Sequence, residues 1–257
     1  MMPRSARVKS MSGVYHIMWR GANRQEIFHD DEDCNRFLDI LVKYKMESEL
    51  EIYAWCLMGN HVHLLLREGK EDISNTMKRI GVSYASYYNW KYDTTGHLFQ
   101  GRFRSENVED NRYLLTVTRY IHQNPVKAGI ADRPDEWRWS SCREYYGEYR
   151  DGRKLLDANF IFGKISPDQT FAMEKFKEYN EKINNDECLE EKRTRLPDEE
   201  ARFEIKKLLG PGDITRVKVL PKAQRKEVFQ KVKNIRGISQ RQAARILGVS
   251  PNLIFRA

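Results

Sequence analysis

The chain has 257 residues, 40% of them hydrophobic and 32% charged, a balance that suits one large or two smaller globular domains and excludes a disordered chain. No apolar run approaches the roughly 20 residues of a membrane span, no apolar segment follows the basic stretch "MMPRSARVKSMSG" to make a secretory signal, and Cys34, Cys56, Cys142 and Cys188 are scattered without a CxxC pair, which argues against a zinc ribbon or a disulfide framework. The expectation is a cytoplasmic protein with no membrane partner. The net charge of +8 is uneven: residues 191–257 hold 17 Lys+Arg against 7 Asp+Glu, and the remainder 28 against 30. A basic tail of this kind points to a polyanion, most commonly nucleic acid, with a solvated basic helical surface as the alternative.

In chain order, "GVYHIMWRG" (13–21) predicts a first strand ending in a Gly-Ala-Asn turn. "DDEDCNRFLDILVKYKMES" predicts a helix, with acidic residues in its first turn and Phe37, Leu38, Leu41 and Val42 at helical spacing. "EIYAWCLMG" and "HVHLLLRE" predict two strands joined at Gly59-Asn60 as a hairpin. A long helix is expected over 73–92, a loop and fourth strand in "GHLFQGRFRSENVED", and a helix in "NRYLLTVTRYIHQN" that Pro125 should stop. The order β-α-β-β-α-β followed by a helix predicts an α+β fold, a split βαβ arrangement with an antiparallel sheet. Residues 126–165 read as an aromatic wrap punctuated by Gly and Pro. Near the C-terminus, Ser239 can cap a helix with Ala243, Ala244, Ile246 and Leu247 on one face, Gly248 can end it, and Ser250-Pro251 can start the next. That rhythm predicts a helix-turn-helix, with an ordinary helical hairpin as the alternative, and makes Arg241 and Arg245 candidate DNA contacts. The expected divisions are a catalytic domain over 10–150, a linker or helical wrap over 151–190 and a basic helical domain over 191–257.

The hairpin strand carries two imidazoles in an apolar run, "MGNHVHLLL". Side chains alternate along a strand, so His61, His63 and Leu65 share one face and Val62, Leu64 and Leu66 the other. Two converging imidazoles suit one divalent metal; a partly exposed histidine pair is the alternative. In "TRYIHQNPV", Tyr120 and Asn124 lie four apart and share a helix face. Asn124 can supply a carbonyl oxygen ligand, and Tyr120 would then sit beside the metal. A phenol, with a pKa of about 10, becomes an effective nucleophile toward a phosphodiester that a metal polarises, and its attack would store the bond as a phosphotyrosine. The alternative makes Tyr120 a packed aromatic and Asn124 a cap. His122 is offset by two positions and is a fallback ligand only if the helix rotates. His97, Gln100, Arg102 and Arg104 gather donors that can hold phosphates and base edges, or form a solvated charged strand; Arg119, beside Tyr120, joins the DNA-binding candidates.

"NHVHLLL", "GHLFQGRFRS" and "TRYIHQNPVKAGI", in this order, resemble the REP-associated tyrosine transposases and other transposase-like single-tyrosine HUH endonucleases over residues 10–145. The resemblance implies a ferredoxin-like catalytic domain that nicks and rejoins single-stranded DNA at the foot of a hairpin with Mg²⁺ or Mn²⁺. It makes His61 and His63 metal ligands, Asn124 the third, amide-type ligand and Tyr120 the nucleophile. It maps guide-sequence reading loosely onto "WRGANRQ", hence Arg20, Asn23 and Arg24. The tail is similar to replication-initiator-type endings and would add contact with duplex DNA; a monomer and a homodimer are both compatible. The rival readings are a non-catalytic DNA-binding regulator derived from a transposase, and a phosphodiesterase that uses an activated water.

Overall fold

The computed structural model describes residues 7–148, 152–186, 188–189, 196, 198–210, 214–235 and 237–255. Four strands, β1 (Val14–Arg20), β2 (Glu51–Met58), β3 (His61–Arg67) and β4 (Arg104–Asn107), form one sheet in the order β2-β3-β1-β4. Every neighbouring pair is antiparallel. Helix α1 (Asp31–Ser48) lies between β1 and β2, α2 (Ile73–Lys91) between β3 and β4, and α3 (Asn111–Lys127) follows β4. The chain thus runs β-α-β-β-α-β-α, as the alternation of apolar periods predicts.

The two faces of the sheet divide the core. Tyr15, Ile17, Trp19, Trp55, Leu57, Val62, Leu64 and Leu66 pack with Phe37, Leu41, Met77, Ile80 and Tyr84 of α1 and α2. On the other face Cys56, Met58 and Leu65 meet Leu114, Val117, Tyr120 and Ile121 of α3. Asp110 caps α3 by accepting from the Tyr113 N–H at 2.8 Å. The helix does not stop before Pro125 but runs to Lys127. Proline removes one N–H near a helix end, and the last turn closes without it: Ala128 N donates to Asn124 O at 3.0 Å and Ile130 N to Pro125 O at 2.9 Å.

The aromatic wrap belongs to this same compact unit, residues 1–189. Residues 137–141 lie along the open edge of β2, where Leu57 N donates to Trp139 O at 2.8 Å and Ser141 N to Trp55 O at 3.0 Å, so the edge is covered. Helices α4 (Cys142–Tyr145), α5 (Ala158–Phe162) and α6 (Gln169–Glu181) add Tyr145, Phe162 and Phe176 to the α3 side of the core. His122 is fully buried there, edge-on to Phe176, with Nε2 2.9 Å from the Ser141 hydroxyl. It lies in a core pocket and offers no fallback ligand. Burial lowers its pKa to about 3, against about 6.5 for an unfolded histidine. Because the folded value is the depressed one, this contribution to stability is complete above about pH 6.5 and is lost as the pH falls toward 3, on the order of 4 kcal/mol in all. Urea unfolding midpoints should therefore fall steadily between pH 7 and 4, with a flatter pH dependence in His122→Gln.

Residues 190–257 form a second compact unit. It comprises α7 (Asp198–Leu209), a 3-10 turn (Ile214–Val219), α8 (Lys222–Lys233), α9 (Gln240–Leu247) and α10 (Pro251–Phe255) around Ile205, Phe229, Val232, Leu247 and Ile254. Ser239 caps α9 through the Gln242 N–H at 3.2 Å, and Gly248 ends it at φ 64°, the left-handed conformation that favours glycine.

Candidate active site on the sheet

Pairing register decides which side chains meet. On the face toward α3, His61 stands opposite Arg20, His63 opposite Met18 and Leu65 opposite His16. Across β1 and β4, His16 faces Glu106 and Met18 faces Arg104. The His61 and His63 ring centroids are 5.0 Å apart, and Tyr120 meets His63 and His16 edge-on, each at 5.7 Å. The sheet and α3 therefore bring His61, His63 and Tyr120 together. Tyr120 is 2% exposed, with the Lys127 ammonium 4.8 Å over its ring. Asn124, one turn on, donates its amide to Tyr120 O at 2.9 Å, and that bond does not engage its Oδ1.

The imidazoles are held in the form that binds a cation. Burial lowers the pKa of His61 to about 4, with Arg20 as a second cause, and that of His16 to about 3. His63 is pushed well below its ordinary value by burial and then by the neighbouring His61, His16 and Arg20. All three rings are neutral near pH 7. His61 Nδ1 donates to Asn60 Oδ1 at 2.6 Å, which fixes the proton on Nδ1 and leaves Nε2 as the acceptor. Two neutral imidazoles 5.0 Å apart are donors that a divalent ion takes, and Asn124, one helical turn from Tyr120, is the residue whose amide oxygen would join them.

The end of β1 carries the polar candidates. Gly21 N donates to Asn60 O at 2.9 Å, Ala22 N to Leu98 O at 2.8 Å, and Gln100 N to Arg20 O at 2.9 Å. These bonds tie the Ala22–Arg24 turn, the β2–β3 turn and the 96–101 loop beside His61. Gly21 permits this approach, since a Cβ there would lie 2.2 Å from Gln25 O. Asn23 and Arg24 hold left-handed backbones at φ 53° and 62°, a conformation stored at some binding loops. Asn23, Arg24, His97, Gln100, Arg102 and Arg104 are exposed.

Arg119 goes elsewhere. It is 9% exposed, bonds Asp186 through Nε and Nη2 at 2.8 and 2.7 Å, and lies 4.0 Å over the Tyr179 ring. Its guanidinium clamps the segment after α6 against α3 and is not presented to a ligand. In the second unit Arg241 is exposed, while Arg245 pairs with Asp198 at 2.7 Å.

His16 and Glu106 were missed in the sequence reading. His16 is fully buried, with Nε2 3.0 Å from His63 Nδ1. The available signal was a lone histidine in the apolar run "GVYHIMWRG", but its partner follows from pairing register and not from spacing.

Residues 9–124 match the family described as "Transposase IS200 like". The chain is 26% identical over 103 residues to the REP-associated tyrosine transposase of Escherichia coli (strain K12), an alignment covering 39% of this chain and 59% of that protein. It thus spans about three-fifths of the length of that relative. Among solved structures, one described as the REP-associated tyrosine transposase bound to a REP hairpin aligns with a TM-score of 0.49 and 18% identity, over 61% of this chain and 96% of the other.

Proposed function

From the match of residues 9–124 to the IS200-like transposase family, we propose that the chain is a metal-dependent endonuclease and strand transferase acting on single-stranded DNA beside a hairpin. The observation that carries this reading is the meeting of His61, His63 and Tyr120 on one sheet face. Outside the chain it is supported by the name of a curated relative, a tyrosine transposase.

His61, His63 and Asn124 would hold the divalent ion. Once bound, the ion would withdraw charge from a phosphodiester oxygen and orient the phosphorus. Tyr120 Oη would attack phosphorus, forming the O–P bond of a 5′-phosphotyrosine as the P–O3′ bond breaks. The phenol loses its proton and the departing strand leaves with a 3′-hydroxyl. Attack by a 3′-hydroxyl on the same phosphorus restores a diester and returns the proton to Tyr120, so the bond is conserved for rejoining. With Tyr120 covered in this state, DNA reaches the phenol only when α3 or the tyrosine side chain shifts off the sheet. Arg20, Asn23, Arg24, His97, Gln100, Arg102 and Arg104 would hold the strand around the end of β1.

The test is incubation with labelled hairpin DNA bearing varied single-stranded flanks, with Mg²⁺ or with EDTA. A metal-dependent, protease-sensitive, slowly migrating band supports the reading. Metal-dependent cleavage with no such band at any time point would instead identify a phosphodiesterase that activates water, and salt-sensitive binding alone a regulator derived from a transposase. For the basic second unit, the proposed role is duplex contact in the manner of a helix-turn-helix. Arg241→Ala is expected to weaken duplex binding and lower the slope of log K against log salt by about 1. Arg245→Ala is expected to do less, because Asp198 already offsets that charge.

A further inference from the structure

Between His16 Nε2 and His63 Nδ1 there is room for a single proton, and either ring could carry it across the 3.0 Å gap. The two arrangements differ in what they leave on the outer nitrogens. If His16 donates, its Nδ1 is a bare acceptor, and the His63 proton sits on Nε2, the atom needed for a metal. If His63 donates, His16 carries its proton on Nδ1 and His63 Nε2 is bare. His16 Nδ1 is buried and has no hydrogen-bond partner among the described residues. The group facing it is the Glu106 carboxylate, directly opposite in the β1–β4 register, with Oε2 at 4.0 Å. That is beyond hydrogen-bond range, and the carboxylate is 39% exposed, but His16 Nδ1 itself is fully buried, so the gap is screened from one side only. A carboxylate facing a bare imidazole lone pair is repulsive, and one facing an N–H is attractive. Glu106 is itself held in place, accepting from the Leu189 N–H at 3.1 Å.

We propose that His16 is a positioning residue: backed by the Glu106 carboxylate, it accepts the Nδ1 proton of His63 and thereby fixes His63 in the tautomer whose Nε2 is free. The effect matches the Asn60–His61 bond on the adjacent ligand, so both imidazoles would be presented with Nδ1 tied and Nε2 open. A carboxylate–histidine pair behind a ligating histidine orients the ring and raises its basicity. The consequence for metal binding rests on the reading of His61 and His63 as ligands, whereas the tautomer itself does not.

The test separates the two. Long-range ¹H–¹⁵N spectra of the EDTA-treated full chain, labelled at histidine, report which ring nitrogens carry protons. The expected wild-type result is His63 protonated at Nδ1 and His16 at Nδ1. A wild-type His63 protonated at Nε2 overturns the inference with no variant required. His16→Met keeps side-chain bulk without an acceptor and should leave His63 as a tautomer mixture, whereas His16→Gln retains an acceptor oxygen and should restore the Nδ1 form. A folded His16→Met protein whose His63 spectrum is unchanged also overturns it. Mn²⁺ affinity, followed by electron paramagnetic resonance, then addresses the ligand reading. His16→Met is expected to bind about 10- to 100-fold more weakly, the range typical when a partner behind a ligand is removed, and His16→Gln close to wild type. Equal affinity in folded His16→Met and wild type, alongside loss in His61→Ala, counts against the inference while sparing the ligand reading. Undiminished binding in His61→Ala and His63→Ala refutes the ligand reading, with the tautomer result standing by itself.

Discussion

Tyr120→Phe should abolish covalent capture of DNA and reduce strand cleavage on the order of a thousandfold or more, while hairpin binding persists. The phenol oxygen is the only atom removed, and it is the proposed nucleophile, so no substitute forms the diester. The ring remains to fill its place against His16 and His63, so folding should survive with a loss of about 1 kcal/mol for one buried hydroxyl. Binding would rest on the proposed DNA contacts at the end of β1, which the substitution does not touch. Cleavage and binding, measured on the same preparations, check this result. Equal cleavage by Tyr120→Phe and wild type would remove Tyr120 from the chemistry.

The second large effect concerns the cation. His61→Ala and His63→Ala are each expected to weaken Mn²⁺ binding by more than about a hundredfold, above the 10- to 100-fold typical of residues that only support a ligand. Cleavage should fall in parallel, as with EDTA. The two variants should differ in stability. His61 is only partly buried at the strand end, whereas His63 is 3% exposed in the sheet centre. Truncating His63 leaves a cavity and removes the partner of His16, so its melting temperature should fall further. Asn124→Ala should lose metal affinity more modestly, and Asn124→Asp, which keeps an oxygen ligand, should recover it. Calorimetric Mn²⁺ titration with a parallel thermal melt checks all four variants.

Local periodicity made much of this architecture legible. The alternation of Val62, Leu64 and Leu66 against His61 and His63 gave strand, face and candidate ligands together. The four-residue interval from Tyr120 to Asn124 likewise fixed a common helix face. What failed had non-local causes. Pro125 reads as a stop because proline excludes an N–H, yet the final turn of α3 closes around it. The stretch after residue 126 shows weak periodicity because its described residues are ordered by distant partners, such as Trp139 on β2 and Phe176 against Tyr145. Arg119 looked available for DNA because its counter-ion, Asp186, lies 67 positions away. His16 and Glu106 join the site only through strand pairing, which nothing in either segment announces.

Mass spectrometry of the protein–DNA species most directly tests the central claim. Wild-type protein would react with hairpin DNA and a divalent ion, be digested with trypsin and nuclease, and have its adduct located by sequencing. The result expected is a nucleotide joined through its 5′-phosphate to Tyr120, with the released strand ending in a 3′-hydroxyl. A nucleotide on another tyrosine, or cleaved ends that carry no peptide at any time, would contradict the account.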